Sequence, residues 1–314
     1  MADVSDLDVR ALTELTPDQA AGVRAIADAA TAADGVAPVS ESGLLALARA
    51  ESGVRHYLGY AAGGLHGYAQ ADRAGDGASV EIVVDPAHRA AGLGDALWRA
   101  VDQRHPGARV WAHGDLPAAR AFAQREGMVR VRELHKMARP LGPQDLEAAS
   151  TTLPSGFTAR SFRPGEDDAA WLETNAAAFA DHPEQGQMTL ADLHGRMAQP
   201  WFDPEGFIVV EAEDAPGRVA AFHWTKVHRD PTGTAHPHGE VYVVGVHPAH
   251  QGRGLGRPLT ALGLAHLAAL GLPEVVLYVD GDNTAALRTY TGLGFRSIMV
   301  DVMYSGAVHP AVSG

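Results

Sequence analysis

At 314 residues the chain is long for one domain and natural for two of about 150, and with 46% hydrophobic and 20% charged residues it has material for two cores. A formal net charge of −13 argues against unspecific binding to nucleic acid or to an anionic membrane surface, both of which require basic protein surface, so neither partner is expected. The absence of cysteine excludes disulfides, thiolate metal sites and a cysteine nucleophile.

The first ten residues, M-A-D-V-S-D-L-D-V-R, have neither the basic nor the apolar region of an export signal, and no apolar run reaches the ~18 residues of a membrane span, so a cytoplasmic protein is expected. Helical spacing predicts a helix over 12–33 behind a Thr16-Pro17 start and another over 43–51, with Asp34, Gly35 and Val36 in the loop between them. Residues 54–71 read as two strands turned at Gly63-Gly64. Next comes V-E-I-V-V-D-P-A-H-R-A-A-G-L-G at 80–94, a strand that breaks at a proline turn and enters a helix over 96–104. A short strand at 109–112 and a helix over 117–126, ended by Gly127, complete the first half.

Residues 139–155 carry Pro140, Pro143 and Pro154 around a short acidic stretch and read as an exposed linker, with the domain boundary near residue 148. The second half restarts with a strand at 157–162, a helix at 166–179, a loop at 180–187, a helix through Met197, and strands at 207–211 and 218–227. E-V-Y-V-V-G-V-H-P-A-H-Q-G-R-G-L-G-R-P at 240–258 then repeats the earlier stretch, Asp85-Pro86-Ala87-His88 aligning with His247-Pro248-Ala249-His250 without a gap. The series closes with a helix at 259–270, a strand at 275–280, a helix at 284–291 and Gly294. The chain therefore contains one α/β unit twice, over 1–148 and 149–314.

Gln251, Gly252, Arg253, Gly254, Leu255, Gly256 and Arg257 place consecutive backbone N–H groups at a helix start with little side-chain bulk, which suits a phosphate. Arg89, Ala90, Ala91, Gly92, Leu93 and Gly94 are the first-half counterpart. A nucleoside-triphosphate loop is excluded because no Lys-Ser or Lys-Thr follows the glycines, and G-x-G-x-G is not the dinucleotide spacing, although Asp280 closes the next strand. Val246, Pro248, Gln251, Gly254 and Gly256 spell V-x-P-x-x-[QR]-x-x-G-x-[GA], which resembles the acetyl-CoA loop of the GNAT superfamily of N-acetyltransferases. The resemblance implies an α/β (α+β) fold of two tandem GNAT domains, each a mixed, mostly antiparallel sheet flanked by helices, with acetyl-CoA as co-substrate and no metal. It also implies that Val244, Gly245 and Val246, and in the first half Ile82, Val83 and Val84, offer backbone groups to the acetyl and pantetheine parts where the sheet splays.

Acetyl transfer to an amine needs a neutral amine, a positioned thioester and a proton for the departing thiolate. Glu240, on the face of Tyr242, Val244 and Val246 if the strand alternates regularly, is the general base that the resemblance implies, although a glutamate at a strand start is ordinarily solvated. Tyr290 stands in A-x-x-x-Y-x-x-x-G-F, resembling the last GNAT motif, which makes Tyr290 the acid for the thiolate and Asn283 a cofactor contact; a phenol of pKa ~10 carries its proton at neutral pH. Ala78 stands in the first half where Glu240 does, and Ala123, beside Phe122, where Tyr290 does. The first domain is therefore expected to hold CoA without catalysing.

A-F-A-D-H-P-E-Q-G at 178–186, F-H-W-T-K-V-H at 222–228 and G-E-V-Y-V-V-G-V-H-P at 239–248 resemble the family of mycothiol synthases, over essentially the whole chain. That resemblance implies transfer of acetyl to the cysteinyl amine of a cysteinyl-glucosaminyl-inositol, a small-molecule acceptor held by Asp34, Glu184, Lys226, Glu240 and Tyr278, with Asp181 a fallback for Glu184. His223, His228, His236 and His238 lack a fixed ligand spacing and are not read as a metal site. A monomer is expected. Two rivals stay open on sequence: a tandem GNAT for another amine such as an aminoglycoside, and a CoA-binding module without turnover.

Overall fold

The computed structural model describes residues 7–48, 53–72, 77–147, 152–180, 185–229 and 236–306. Along the first half run β1 (Leu7–Leu12), α1 (Pro17–Asp34), α2 (Glu41–Ala46), β2 (Val54–Ala61), β3 (Gly64–Asp72), β4 (Ser79–Val84), α3 (Leu93–Arg104), β5 (Arg109–Ala112), α4 (Pro117–Arg125) and β6 (Met128–Pro140). After them come α5 (Pro143–Glu147), β7 (Phe157–Ser161), α6 (Asp168–Ala178), α7 (Leu190–Met197), β8 (Phe207–Ala212), β9 (Val219–His228), β10 (His238–Val246), α8 (Gly256–Ala269), β11 (Glu274–Asp280), α9 (Thr284–Gly292) and β12 (Arg296–Gly306). None of the described helices is long and apolar enough to cross a membrane.

By packing, the chain divides into residues 1–134 with 300–314, and residues 135–299. The boundary read near residue 148 lies outside the described residues. The first unit therefore includes the end of β12, which pairs antiparallel with β5 from Val302 opposite Ala112 to Ser305 opposite Arg109. Its Val302 and Tyr304 join the core that Leu93, Leu97, Trp98 and Val101 of α3 form against β2. In the second unit the stretch 135–140 of β6 lies beside β11.

The expected exposed linker is corrected at its start. Arg139 and Asp145 form an ion pair with side chains only 10% and 8% exposed, Asp145 also accepts the Gly142 N–H, and α5 packs on α8. A buried guanidinium requires a partner, and Asp145 on α5 supplies it.

Each unit carries the same meander. In the first, β1 to β4 pair antiparallel in chain order and β4 then pairs parallel with β5; in the second, β7 to β10 do the same and β10 pairs parallel with β11. The parallel pairing is short in both. It covers Ser79 to Glu81 against Arg109 to Trp111, and Gly239 to Val241 against Val275 to Leu277. Beyond those rungs β5 and β11 no longer pair, so Ile82–Val84 and Val244–Val246 stay paired with β3 and β9 alone and border a gap on the other side.

One irregularity distinguishes the units. Between Val241 and Val243 the β9–β10 register slips by one residue, whereas β3–β4 is continuous from Gly67 opposite Val84 to Asp72 opposite Ser79. The bulge corrects the regular alternation expected for β10. Directly opposed residues share a face, so Glu240, opposite Lys226, shares its face with Val243, opposite Trp224. Val244 and Val246, opposite His223 and Ala221, turn to the face where His223 bonds the Leu259 carbonyl of α8.

Candidate active site

Both glycine-containing loops leave β4 or β10 through an identical turn. Asp85 N–H donates to the His66 carbonyl (2.8 Å) and His247 N–H to the Ala220 carbonyl (2.9 Å), and each side chain accepts the N–H two residues on. In the second unit, Gly252 (φ +74°) and Gly254 (φ +79°) hold left-handed backbone that brings the chain round to α8. Among the described residues no acceptor takes the N–H groups of Gly252, Arg253, Gly254, Leu255, Gly256 or Arg257, and Pro258 has none to offer. That row of donors faces the positive end of a 14-residue helix. Gln251 braces the loop by donating to the Val246 carbonyl (3.3 Å), Arg253 lies over the Phe157 ring (4.4 Å), and neither Arg253 nor Arg257 is ion-paired among the described residues.

In the first unit Ala90 (φ +58°) and Gly92 (φ +85°) take the two left-handed positions, and the N–H groups from Arg89 to Gly94 are likewise without acceptors among the described residues. Arg89, however, is engaged: its guanidinium donates to both carboxylate oxygens of Asp34 (2.8 and 2.7 Å) and to the Val84 carbonyl (3.2 Å). The bidentate pair holds Asp34 below the usual carboxylate range and Arg89 above its own. A cavity of about 890 Å³ opens here, lined by every first-half cofactor candidate except Ala91 and walled on its apolar side by α4 through Phe122. Its size suits a cofactor.

Glu240 is 8% exposed, so its carboxylate is not the solvated group a strand start suggests. Its Oε2 shares a 2.5 Å hydrogen bond with His228 Nε2, and Oε1 has no partner among the described residues. Lys226 stands opposite Glu240, and its ammonium lies over the rings of Trp201 (5.2 Å) and Tyr242 (5.7 Å), whose hydroxyl accepts from Arg196 (2.9 Å). Val276 pairs with Glu240 across β10–β11, which puts Tyr278, two residues on, on the same face, 45% exposed. Lys226, Glu240 and Tyr278 are thus brought together on one face of the second unit. Asp34 belongs to the first unit, and Glu184, with Asp181, lies outside the described residues. His228, Trp201 and Arg196 were not read as site residues; the signal for His228 was its place two residues beyond Lys226 on a strand pairing with the one that carries Glu240.

Tyr290 projects from α9 into the apolar cluster of Leu264, Leu277 and Phe295, and burial pushes its phenol up to about 12. It therefore keeps its proton at neutral pH and has no hydrogen-bond partner among the described residues to compete for it. Asn283 caps α9, its side chain accepting the Ala286 N–H (3.1 Å). In the first unit the registers correct the count back from the proline: β10 carries one extra residue at its bulge, so Ser79, opposite Asp72 and Arg109, stands where Glu240 stands opposite Lys226 and Val276, and not Ala78. Ala123, seventh in α4, stands where Tyr290 is seventh in α9, so this unit has neither the carboxylate nor the phenol. The equivalent face is closed: α2 rests on the Glu81 carboxylate so tightly that a Cβ at Gly43 would lie 2.5 Å from Glu81 Oε2. Glu81 Oε1 is taken by the Ser40 N–H and by His113, whose other nitrogen bonds Asp301.

A sequence model of the acetyltransferase (GNAT) family matches residues 171–295, which hold Glu240, the second loop and Tyr290. The chain is 53% identical over 304 residues to a mycothiol acetyltransferase of Thermomonospora curvata, covering 95% of this chain and 98% of that one, and 50% identical over 298 residues to another of Thermobispora bispora, covering 94% and 99%. The chain belongs to the mycothiol acetyltransferase family. The tandem GNAT fold of such a family member recurs in a solved tandem GNAT protein from the clavulanic acid biosynthesis pathway, with a TM-score of 0.68 at 18% identity over 98% of this chain and all of that one. A GCN5-related N-acetyltransferase from Sphaerobacter thermophilus gives a TM-score of 0.70 at 23% identity, covering 97% and 96% of the two chains.

Proposed function

We infer that this chain is an acetyl-CoA-dependent N-acetyltransferase that acetylates the cysteinyl amine of a cysteinyl-glucosaminyl-inositol and so makes mycothiol. The observation that carries the substrate is the near-full-length identity of about half to mycothiol acetyltransferases. The chemistry is carried by one unit that joins a phosphate-binding loop, a buried carboxylate and a protonated phenol.

In this reading the pyrophosphate of acetyl-CoA sits on the N–H groups from Gly252 to Arg257, helped by Arg253 and Arg257, which pair with no acid among the described residues. Val244 to Val246 hydrogen-bond the pantetheine and acetyl parts in the splay. Glu240 removes a proton from the cysteinyl ammonium through Oε1, and the Nε2–H of His228 fixes the other oxygen and stabilises the carboxylate that must form again after each turnover. The amine attacks the thioester carbonyl, the C–S bond breaks, and Tyr290 gives its proton to the CoA thiolate. Lys226 and Tyr278, beside Glu240, contact the acceptor's hydroxyls, with Glu184 a further contact. The first unit holds CoA in its cavity and leaves it unreacted, because Ser79 offers no carboxylate to take a proton and Ala123 no phenol to give one.

Release of CoA from acetyl-CoA by the purified chain, offered cysteinyl-glucosaminyl-inositol beside an aminoglycoside panel, tests the assignment. Turnover with the cysteinyl sugar alone is expected. Turnover only with other amines would remove the substrate claim, and CoA binding without any turnover would reduce the chain to a binding module.

A further inference from the structure

The turn that leads into the first unit's loop gathers three metal-ligand side chains from three adjoining segments. His66 comes from β3, Asp85 from the end of β4 and His88 from the short 3₁₀ turn Pro86–His88. Asp85 Oδ2 lies 3.4 Å from His66 Nδ1 and 3.0 Å from His88 Nδ1, and all three ligand atoms are within 4.8 Å of one another. Two ligands bound tetrahedrally at about 2.1 Å stand roughly 3.4 Å apart, so the oxygen is already near first-sphere separation from each nitrogen. The backbone of the set is fixed: Asp85 N–H is bonded to the carbonyl of His66 itself, and Asp85 Oδ1 is occupied by the Ala87 N–H, which leaves Oδ2 as the ligand atom.

The second unit supplies the comparison. Its identical turn puts His247 and His250 at the places of Asp85 and His88, but Ala220 at the place of His66, and the two imidazoles stand 6.0 Å apart at 59°. The donor set is confined to one copy of the repeat, where the turn alone would have produced it in both.

We propose that His66, Asp85 and His88 form a binding site for a divalent transition metal of the zinc class, completed by water. Two imidazoles and one carboxylate suit Zn²⁺, Ni²⁺ or Cu²⁺ and are a poor set for Mg²⁺ or Ca²⁺, which take oxygen ligands. The imidazole rings, stacked with centroids 3.4 Å apart, open on binding so that each lone pair aims at the ion; His88, with 40% of its side chain exposed, has the room to turn. The ion pins the 3₁₀ turn to β3 directly before Arg89. It also places positive charge at the cavity that His88 lines, where the arginine's own charge is cancelled by Asp34.

Equilibrium dialysis of the full chain, stripped with chelator and offered Zn²⁺ alone, tests the site. One zinc per chain is expected, lost in His66→Ala and in Asp85→Asn by more than the roughly 10–100-fold that removal of an outer-shell partner costs, and retained in His250→Ala. X-ray absorption on the wild-type chain needs no variant and should show a nitrogen and oxygen shell near 2.0–2.1 Å with the scattering of two imidazoles. No bound zinc, a zinc that survives both His66→Ala and Asp85→Asn, or a shell without imidazole would overturn the proposal.

Discussion

The two units keep the same loop and diverge in what surrounds it. Both hold a row of unbonded N–H groups at a helix start and a splayed strand pair. The second unit adds a bulge in β10, a buried carboxylate and a phenol held in its protonated form. The first has a continuous β4, a serine and an alanine at those places, and a helix lying on the Glu81 carboxylate of that face. On the proposed reading, phosphate binding rests on backbone geometry and survives loss of side chains. Proton transfer depends on two side chains at fixed places and does not.

Substitutions should therefore separate the units. Glu240→Gln is expected to lower kcat by roughly 10²–10⁴-fold with little change in acetyl-CoA affinity, while Ser79→Ala, at the matching place of the first unit, leaves kcat unchanged. Steady-state kinetics read both, with Tyr290→Phe expected in the same range; equal losses from the two units would break the comparison.

The closed face of the first unit should show itself in pH dependence. Burial pushes His113 down, but hydrogen bonds to Asp301 and Glu81 outweigh it and carry the imidazole up to about 9. A pKa raised in the folded state contributes stability that is fully present below the unfolded value near 6.5 and is lost as pH rises through 9, here of order a few kcal/mol. Thermal melts of the wild type should fall between pH 7 and pH 10 more steeply than those of His113→Gln. Identical slopes would mean that the triad does not hold the face shut.

Much of this was legible in the sequence because it rests on local chemistry. The two P-A-H turns, the glycines after them, Glu240 and Tyr290 are read directly along the chain, whereas counting back from the proline to Ala78 misses Ser79 by one residue because of the bulge in β10. The bulge was not legible: one extra residue in a β-branched run leaves no mark on composition, yet it moves Val244 and Val246 to the other face. The membership of β12 in the first unit rests on pairing between Val302 and Ala112, more than half the chain apart, which no local pattern encodes. His66 and His88 come together only because β3 pairs with β4. The buried role of Arg139 was hidden by prolines that read as a linker.

Smaller effects sharpen the comparison at the loops. Alanine at Gly254 meets only ordinary contact with Pro154, so its cost is the left-handed backbone, about 1–2 kcal/mol, or about tenfold in the KM for acetyl-CoA. Gly92→Ala should weaken CoA retention by the first unit to a similar degree and leave turnover alone; Ala90, which already holds φ +58° where the second unit has Gly252, shows that this unit tolerates such strain. Asp34→Asn, the smallest change, should release Arg89 and tighten CoA retention there by roughly the worth of a partly exposed ion pair, a few-fold. A raised KM for the acceptor instead would give Asp34 the acceptor contact that the family resemblance implies.

The division of labour between the units is tested most directly by a single-turnover experiment. The chain is saturated with acetyl-labelled acetyl-CoA, stripped of unbound cofactor and mixed with excess cysteinyl-glucosaminyl-inositol, and label in product is counted per chain. The account predicts two acetyl-CoA bound and one acetyl transferred rapidly, with Glu240→Gln still binding two and transferring none at that rate. Rapid transfer of both acetyl groups, or of one in the Glu240→Gln chain, would contradict it.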